Sequence, residues 1–337
     1  MLGLDPVRAE KSDVAAALAS WDKVRFETDP MANGAVVAAC RSFDEWDAAE
    51  QSRVLAEAPL FTIERIGDAP PKALPSPDER TKPLAGICVL DLTRILAGPV
   101  CGRTLAAYGA DVMLVNSPHL PNIEAIVDTS RGKLSCHVDL ETPAGRDQLA
   151  GLLEEAHVFV QGYRPGAIAA RGFSPEAVAR QFPGSVYVSL SAYGESGPWS
   201  SRRGFDSLVQ TAMGFNIAEA EAAGSDTPRP MPVQILDYAS GFLMAFATEV
   251  ALLRQQTEGG TWHARIGLAQ TAQWLRGLGR NDDNFHLRKP ALQDHLQAFP
   301  CSEGELRAMP HAARMDGTHC ASVRPSVRPG YHETIWP

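Results

Sequence analysis

Asp237 is the acid in this sequence whose surroundings are arranged as chemistry would need them. It follows Ile235 and Leu236 and precedes a run in which Phe242, Leu243, Phe246, Ala247 and Val250 repeat at helical spacing. A carboxylate is thereby placed at the start of a helix in an apolar setting. The helix dipole favours its ionised form there by about 0.3–1 kcal/mol, whereas desolvation opposes ionisation. An ionised, poorly hydrated carboxylate is a competent nucleophile toward an activated acyl group. The plainer reading of an Asp in this place is an ordinary N-cap. Spacing alone leaves both readings open.

Other chemistries lack their residues. No G-x-G-x-x-G follows the first strand of the main α/β region, and no phosphate-binding G-x-x-x-x-G-K-[ST] loop occurs. Neither a G-x-S-x-G elbow nor an H-E-x-x-H helix is present. The nine histidines are dispersed without metal-ligand spacing, and no metal site is expected. His137 and His157, beside strand-like runs, read as structural.

The elements that must position Asp237 begin with residues 84–115. Ile87 to Leu92 is a short apolar run with β-branched members, as in a strand buried on both faces. A loop from Thr93 to Pro99 leads into a helix, with Pro99 suited to its first position. Gly109 closes that helix and Val112 to Val115 is the next strand, completing a βαβ unit. Ligands of parallel sheets bind at the carboxyl ends of strands, which makes the Thr93–Pro99 loop a candidate site.

The alternation continues. Ser135 to Leu140, Val158 to Gln161, Val186 to Leu190 and Trp262 to Leu268 read as strands. Thr142-Pro143 and Ser174-Pro175 each read as an N-cap followed by a helix-starting proline. Residues 192–236 form a Gly-, Ser- and Pro-rich connection with a brief helical run near Leu208, and Ala269 to Leu278 is a helix. The expected fold is α/β, a doubly wound, Rossmann-like parallel sheet spanning 84–280.

Residues 1–66 read as a small α/β lobe of their own. It has a helix over Val14 to Trp21, a strand over Ala35 to Ala39, and a capping box at Ser42 and Glu45. A helix from Phe43 to about Leu55 and a strand over Phe61 to Ile66 complete it. Residues 67–83, with prolines at 70, 71, 75, 77 and 83, read as a stiff linker, and 281–337 as an irregular C-terminal segment.

At 45% hydrophobic residues the chain can build a sizeable core, and its net charge of −9 argues against nucleic acid or an anionic membrane as partner. No run of about 18 apolar residues suggests a membrane span. The N-terminus has no basic-then-apolar leader, and the six cysteines include no C-x-x-C pair. A cytoplasmic protein with free thiols is expected.

Several of these segments together resemble a known family. Val89 to Arg94, Ala97-Gly98-Pro99, Leu105 and Gly109 to Val112 resemble the opening signature of the family III CoA-transferases, the CaiB/BaiF family. Arg131 to Ser135, Val138 to Leu140, Tyr163 to Gly166, Val188 to Pro198 and Phe205-Asp206 agree in order and spacing. The likeness runs through Leu236-Asp237 to Gly259–Ala269 and covers about 85–275. It implies an enzyme that moves CoA between an acyl-CoA and a carboxylic acid, with no permanently bound cofactor. Asp237 falls on the family's nucleophile, which forms an aspartyl anhydride and then an aspartyl-CoA thioester. The family's CoA pocket maps here onto Leu96, Ala97, Val138, Asp139, Leu140, Tyr163, Arg164 and Arg203. Arg164 and Arg203 are suited to the CoA phosphates. A homodimer is expected, since family members form dimers whose chains wrap through each other.

The departures are as informative. The family's racemase branch has His before the acid at Asp206, and this chain has Phe205. A basic residue common after the second strand is replaced near Ser117-Pro118, a first-loop glutamine of some transferases is Leu96, and the glycine-rich loop that shields the acyl-aspartate in some members has no counterpart. Residues 1–66 resemble the tail of the family's small domain, here placed ahead of the large one, as in a fused or shortened gene. A racemase or other acyl-CoA enzyme and a non-catalytic CoA-binding subunit are the alternative readings.

Overall fold

Rows of apolar side chains cross the strands in register and set the two faces of a sheet. Val89 lies opposite Val112 and Val158, and Val158 opposite Val186. The next row is Leu90 with Met113 and Phe159, then Tyr187. The first row packs in one core cluster and the second in another, as the two-residue period of a strand requires. The computed structural model in which these rows are seen describes residues 2–32, 34–73, 82–281, 288, 290–316 and 320–337.

In chain order the elements are α1 (Lys11–Leu18), α2 (Lys23–Ala32), α3 (Phe43–Asp47), α4 (Glu50–Ala56), β1 (Phe61–Gly67), β2 (Cys88–Leu92), α5 (Ala97–Ala107) and β3 (Asp111–Asn116). Next come α6 (Ile126–Thr129), β4 (Leu134–His137), α7 (Pro143–Glu155), β5 (Val158–Gln161), α8 (Pro175–Gln181) and β6 (Val186–Ser191). Then follow α9 (Asp206–Ala212), α10 (Phe215–Ala222), α11 (Ile235–Glu258), β7 (Thr261–Gly267), α12 (Leu268–Gly277), β8 (Gln297–Cys301) and β9 (Gly304–Ala308).

The main sheet has seven strands in the order β1-β7-β6-β5-β2-β3-β4. β2 to β7 are parallel, and their order is that of a doubly wound dinucleotide-type sheet. The order reverses between β2 and β5, so the loops after these two strands flank the crevice where such sheets bind ligands. Thr142 and Ser174 accept from Gly145 and Ala177 and cap α7 and α8, each with proline opening the helix.

Several expectations are corrected. β1 pairs antiparallel with β7 as an edge strand of the same sheet, and Trp46 and Leu55 share a core with Ala97, Tyr193, Trp199 and Leu236. β1 and the α3–α4 segment therefore pack on the main fold, at the open edge of β7 and on the apolar surface around Trp199. The expected helix from Phe43 to Leu55 breaks between α3 and α4, where Ala49 is extended at φ −73° and ψ 146°. In a straight helix Trp46 and Leu55 would face opposite sides, and the break lets both enter one core. The Ser42 capping box forms as expected. The strand expected at Ala35–Ala39 is absent, because Ala39 donates to the buried Glu27 carboxylate rather than to a ladder.

The 67–83 linker continues β1 through Gly67, and Gln255 of α11 pins its first part by donating to Pro70 O and accepting from Lys72 N. Its 74–81 portion lies outside the described residues. Residues 281–337 are not wholly irregular, since β8 and β9 form an antiparallel hairpin. All six cysteines are free. Among the described residues, α11 is the helix long and apolar enough to cross a membrane, but 56% of its apolar window is buried inside the fold.

Candidate active site

The loop after β2 is shaped by a fully buried ion pair. Lys133 Nζ lies 2.7 Å from Asp91 Oδ2, both side chains are 0% exposed, and Lys133 also donates to the Pro99 carbonyl. Thr93 donates its hydroxyl to the other Asp91 oxygen. These bonds tie β2, the start of α5 and the residue before β4 into one cradle. Gly102 is required by it, since a Cβ there would fall 2.3 Å from Asp91 Oδ2. The loop also carries backbone strain: Ile95 has φ 72°, a region β-branched residues avoid. Pro99 is the third residue of α5 rather than the first, and the helix begins at Ala97 with Leu96 as its N-cap.

Beside this loop, at the sheet's switch point, lies a cleft of about 490 Å³. Six expected ligand contacts line it: Val138, Asp139, Leu140, Tyr163, Arg164 and Arg203. Leu96 and Ala97 do not, because both side chains turn into the core at 5% and 2% exposure. Arg94, Ile95, His119, Arg171, Arg202 and Phe205 also line the wall. Arg171 pairs with Glu141 and Arg202 with Glu27. Arg94 and Arg203 instead donate to the carbonyls of Pro121 and Gly34, and Arg164 makes no ion pair among the described residues. Three guanidinium groups thus face one cleft without a salt-bridge partner among the described residues. Asp139 contributes an acid, held below the usual carboxylate range by the Glu141 N–H and then by His119. Burial raises the Tyr163 phenol.

Asp237 lies behind the Phe205 side of this wall and is not among the residues lining the cleft. It is the third residue of α11, not its N-cap, which is Gln234. Its side chain is 6% exposed, and burial together with the nearby Asp206 carboxylate pushes its pKa up to about 7. The second turn of α11 packs against the start of α5: a Cβ on Gly241 would be 2.5 Å from the Ala97 carbonyl oxygen.

The cap of α11 comes from elsewhere in the chain. Asp206, the first residue of α9 and 1% exposed, accepts the Asp237 N–H on Oδ2 at 2.9 Å. Gln210, one turn along α9, donates to the other Asp206 oxygen and to Val233 O and accepts from Met231 N. Burial raises the Asp206 carboxyl as well, against the hydrogen bonds it accepts. Sequence reasoning does not single out this pair, although Phe205-Asp206 belongs to the family-like motif. A buried acid next to a cleft-lining Phe was the available signal. Asp91 and Lys133 likewise lie within family-like motifs, and their pairing depends on residues 42 positions apart.

Parallel sheet, switch-point cleft and helix-borne aspartate together define a doubly wound α/β protein with a buried carboxylate near its cleft. A family model described as CoA-transferase family III matches residues 84–282, more than half of the chain, and the chain belongs to that family. Relatives include the acetyl-coenzyme A transferase nodX of Hypoxylon pulicicidum, 32% identical over 62% of this chain and 36% of its own length. The probable fatty acyl-CoA transferase Rv3272 of Mycobacterium tuberculosis is 32% identical over 67% of this chain and 59% of its own. Human succinyl-CoA:glutarate CoA-transferase is 33% identical over 53% and 43%. The chain thus spans less than two thirds of each of these relatives. Among solved structures, a crystal structure of Rv3272 superposes with TM-score 0.52 at 29% identity, over 68% of this chain and 66% of that one. A CaiB/BaiF family protein from Brucella suis has the same fold, with TM-score 0.52 and 24% identity over 68% and 67%.

Proposed function

We propose that this chain moves CoA between an acyl-CoA and a carboxylic acid, with Asp237 as covalent nucleophile. The observation that carries the reading is a cleft lined by three arginines without a salt-bridge partner among the described residues: Arg94 after β2, Arg164 after β5 and Arg203 between β6 and α9. Guanidinium groups bind phosphate oxygens through paired N–H donors, as the CoA nucleotide requires. The apolar wall of Val138, Leu140, Ile168 and Phe205 suits the uncharged parts of the same ligand.

The Asp237 carboxylate attacks the thioester carbonyl, the C–S bond breaks, and CoA leaves as thiolate from a mixed anhydride. The thiolate then attacks the Asp237 carbonyl, giving an aspartyl-CoA thioester and releasing the donor acid. An acceptor carboxylate displaces CoA in turn, and the thiolate finally takes the acceptor acyl group and frees Asp237. The scheme begins and ends on thioesters of similar energy and reaches the less stable anhydrides through Asp237, which is how covalent catalysis divides a hard exchange. Burial of Asp237 serves this scheme by stripping water from the nucleophile.

Racemisation at the α-carbon would need a base on the cleft side of Asp206. Phe205 stands there, 45% exposed and without a titratable group, which weighs against that alternative. The proposal includes a homodimer, supported by Phe242, Phe246 and Leu253, which lie along one stripe of α11 at 40%, 54% and 59% exposure. It also includes a reducing cytoplasmic setting, which six free thiols suit. The test is a transfer assay over a panel of acyl-CoA donors and carboxylate acceptors, with new acyl-CoA read by chromatography. New acyl-CoA that requires both partners supports the proposal. Tight CoA binding without transfer from any donor favours a non-catalytic subunit.

A further inference from the structure

Asp206 and Gln210 sit one turn apart on α9 and together grip both ends of the turn that leads into α11. Gln210 holds Met231 N at 3.0 Å and Val233 O, and Asp206 holds Asp237 N at 2.9 Å. The two side chains are bonded to each other and are 1% and 2% exposed, so water does not compete for these groups. Gln234, the residue at the N-cap position, makes no side-chain capping bond. The orphan amide at Asp237 is therefore satisfied by an acid 31 residues away.

We propose that Asp206, locked by Gln210, is a positioning residue that fixes the backbone of the nucleophile Asp237 relative to the cleft. The inference rests on the reading of Asp237 as nucleophile. Phe205, adjacent to Asp206, forms part of the cleft wall, so the same short segment touches the ligand space and holds the reactive residue's backbone. Asp206 is also the charge that acts on the Asp237 carboxyl. Removing it does two separable things: it loosens the helix end and it makes Asp237 easier to ionise.

The test follows formation of the Asp237 adduct by mass spectrometry, with acetyl-CoA and succinyl-CoA as probe donors, across pH. Asp206→Asn keeps the shape but leaves either Gln210 or the Asp237 amide facing an NH2 group. Its maximal rate of adduct formation is expected to fall about 10²-fold, as for a misplaced reacting group, with CoA affinity unchanged. The acid limb of its rate profile moves to lower pH. Gln210→Met is expected to slow the step with CoA affinity unchanged, because it frees the Asp206 carboxylate without removing it.

An Asp206→Asn protein with wild-type rate and pH profile overturns the inference. So does one that merely melts earlier while its folded fraction keeps the wild-type limb. Should Asp206→Asn fail to fold, the Gln210→Met rate decides alone: slowed with CoA binding intact supports the inference, and wild-type rate overturns it. Wild-type protein that forms no adduct on Asp237 overturns the nucleophile reading and this inference with it, an outcome distinct from all the others.

Discussion

Asp206 accepts the Asp237 N–H at 2.9 Å, so two buried carboxylates share one helix end. The hydrogen bond holds Asp237 in place while the charge of Asp206 resists its ionisation. The arrangement yields a carboxylate that forms near neutral pH and is poorly hydrated when it does.

The pH dependence of stability follows from that. The Asp237 carboxyl, at about 7 in the fold, lies above its ordinary value of 3.8, so the folded state retains the proton more strongly than the unfolded chain. Stability falls as pH rises between these two values, and the full penalty, on the order of a few kcal/mol, is present above pH 7. Asp237→Asn is expected to abolish adduct formation yet to melt higher than wild type at pH 8, with little difference near pH 4. Glu249, also raised to about 7 by burial, stays in both proteins and cancels in the comparison.

Arg164 offers the cleft a charge that no carboxylate offsets among the described residues. Arg164→Gln should weaken CoA binding by roughly 10–100-fold, the loss of about 1.5–3 kcal/mol for charged hydrogen bonds. Titration calorimetry with CoA measures this, and the effect should shrink with dephospho-CoA if Arg164 meets the nucleotide 3′-phosphate.

Lys133→Met leaves Asp91 charged and without its counter-ion where both side chains are 0% exposed. A loss of about 3–5 kcal/mol in urea unfolding is expected. Asp91→Asn added to Lys133→Met should recover part of that loss by removing the buried charge.

Trp46 is 1% exposed and packs edge-on against Trp199, with ring centroids 5.4 Å apart. Trp46→Ala should cost about 3–5 kcal/mol and lower the single unfolding transition of the whole protein. A separate early transition, with the main one unmoved, would restore the independent N-terminal lobe.

Local signals carried the parallel sheet well. Val89, Val112, Val158 and Val186 stand in apolar runs between cap-and-proline starts, and such signals are read within a few residues. What stayed hidden depends on distant partners. β1 alternates as a strand must, but nothing near Phe61 says that β7 lies beside it. Leu96 and Ala97 follow a binding-loop motif, yet their apolar side chains are claimed by the core. Asp237 was read as opening its helix because its cap, Asp206, comes from another helix. The strand expected at Ala35–Ala39 had β propensity without a free sheet edge to join.

The claim at the centre of this account is a covalent bond between CoA and Asp237. Protein incubated with an acyl-CoA donor, quenched and digested, should show the peptide containing Asp237 heavier by the mass of a CoA thioester. Hydroxylamine should convert that adduct to an aspartyl hydroxamate, and the Asp237→Asn protein should show neither species. A wild-type protein that catalyses transfer while this peptide stays unmodified throughout turnover, or an Asp237→Asn protein that transfers at the wild-type rate, would contradict it.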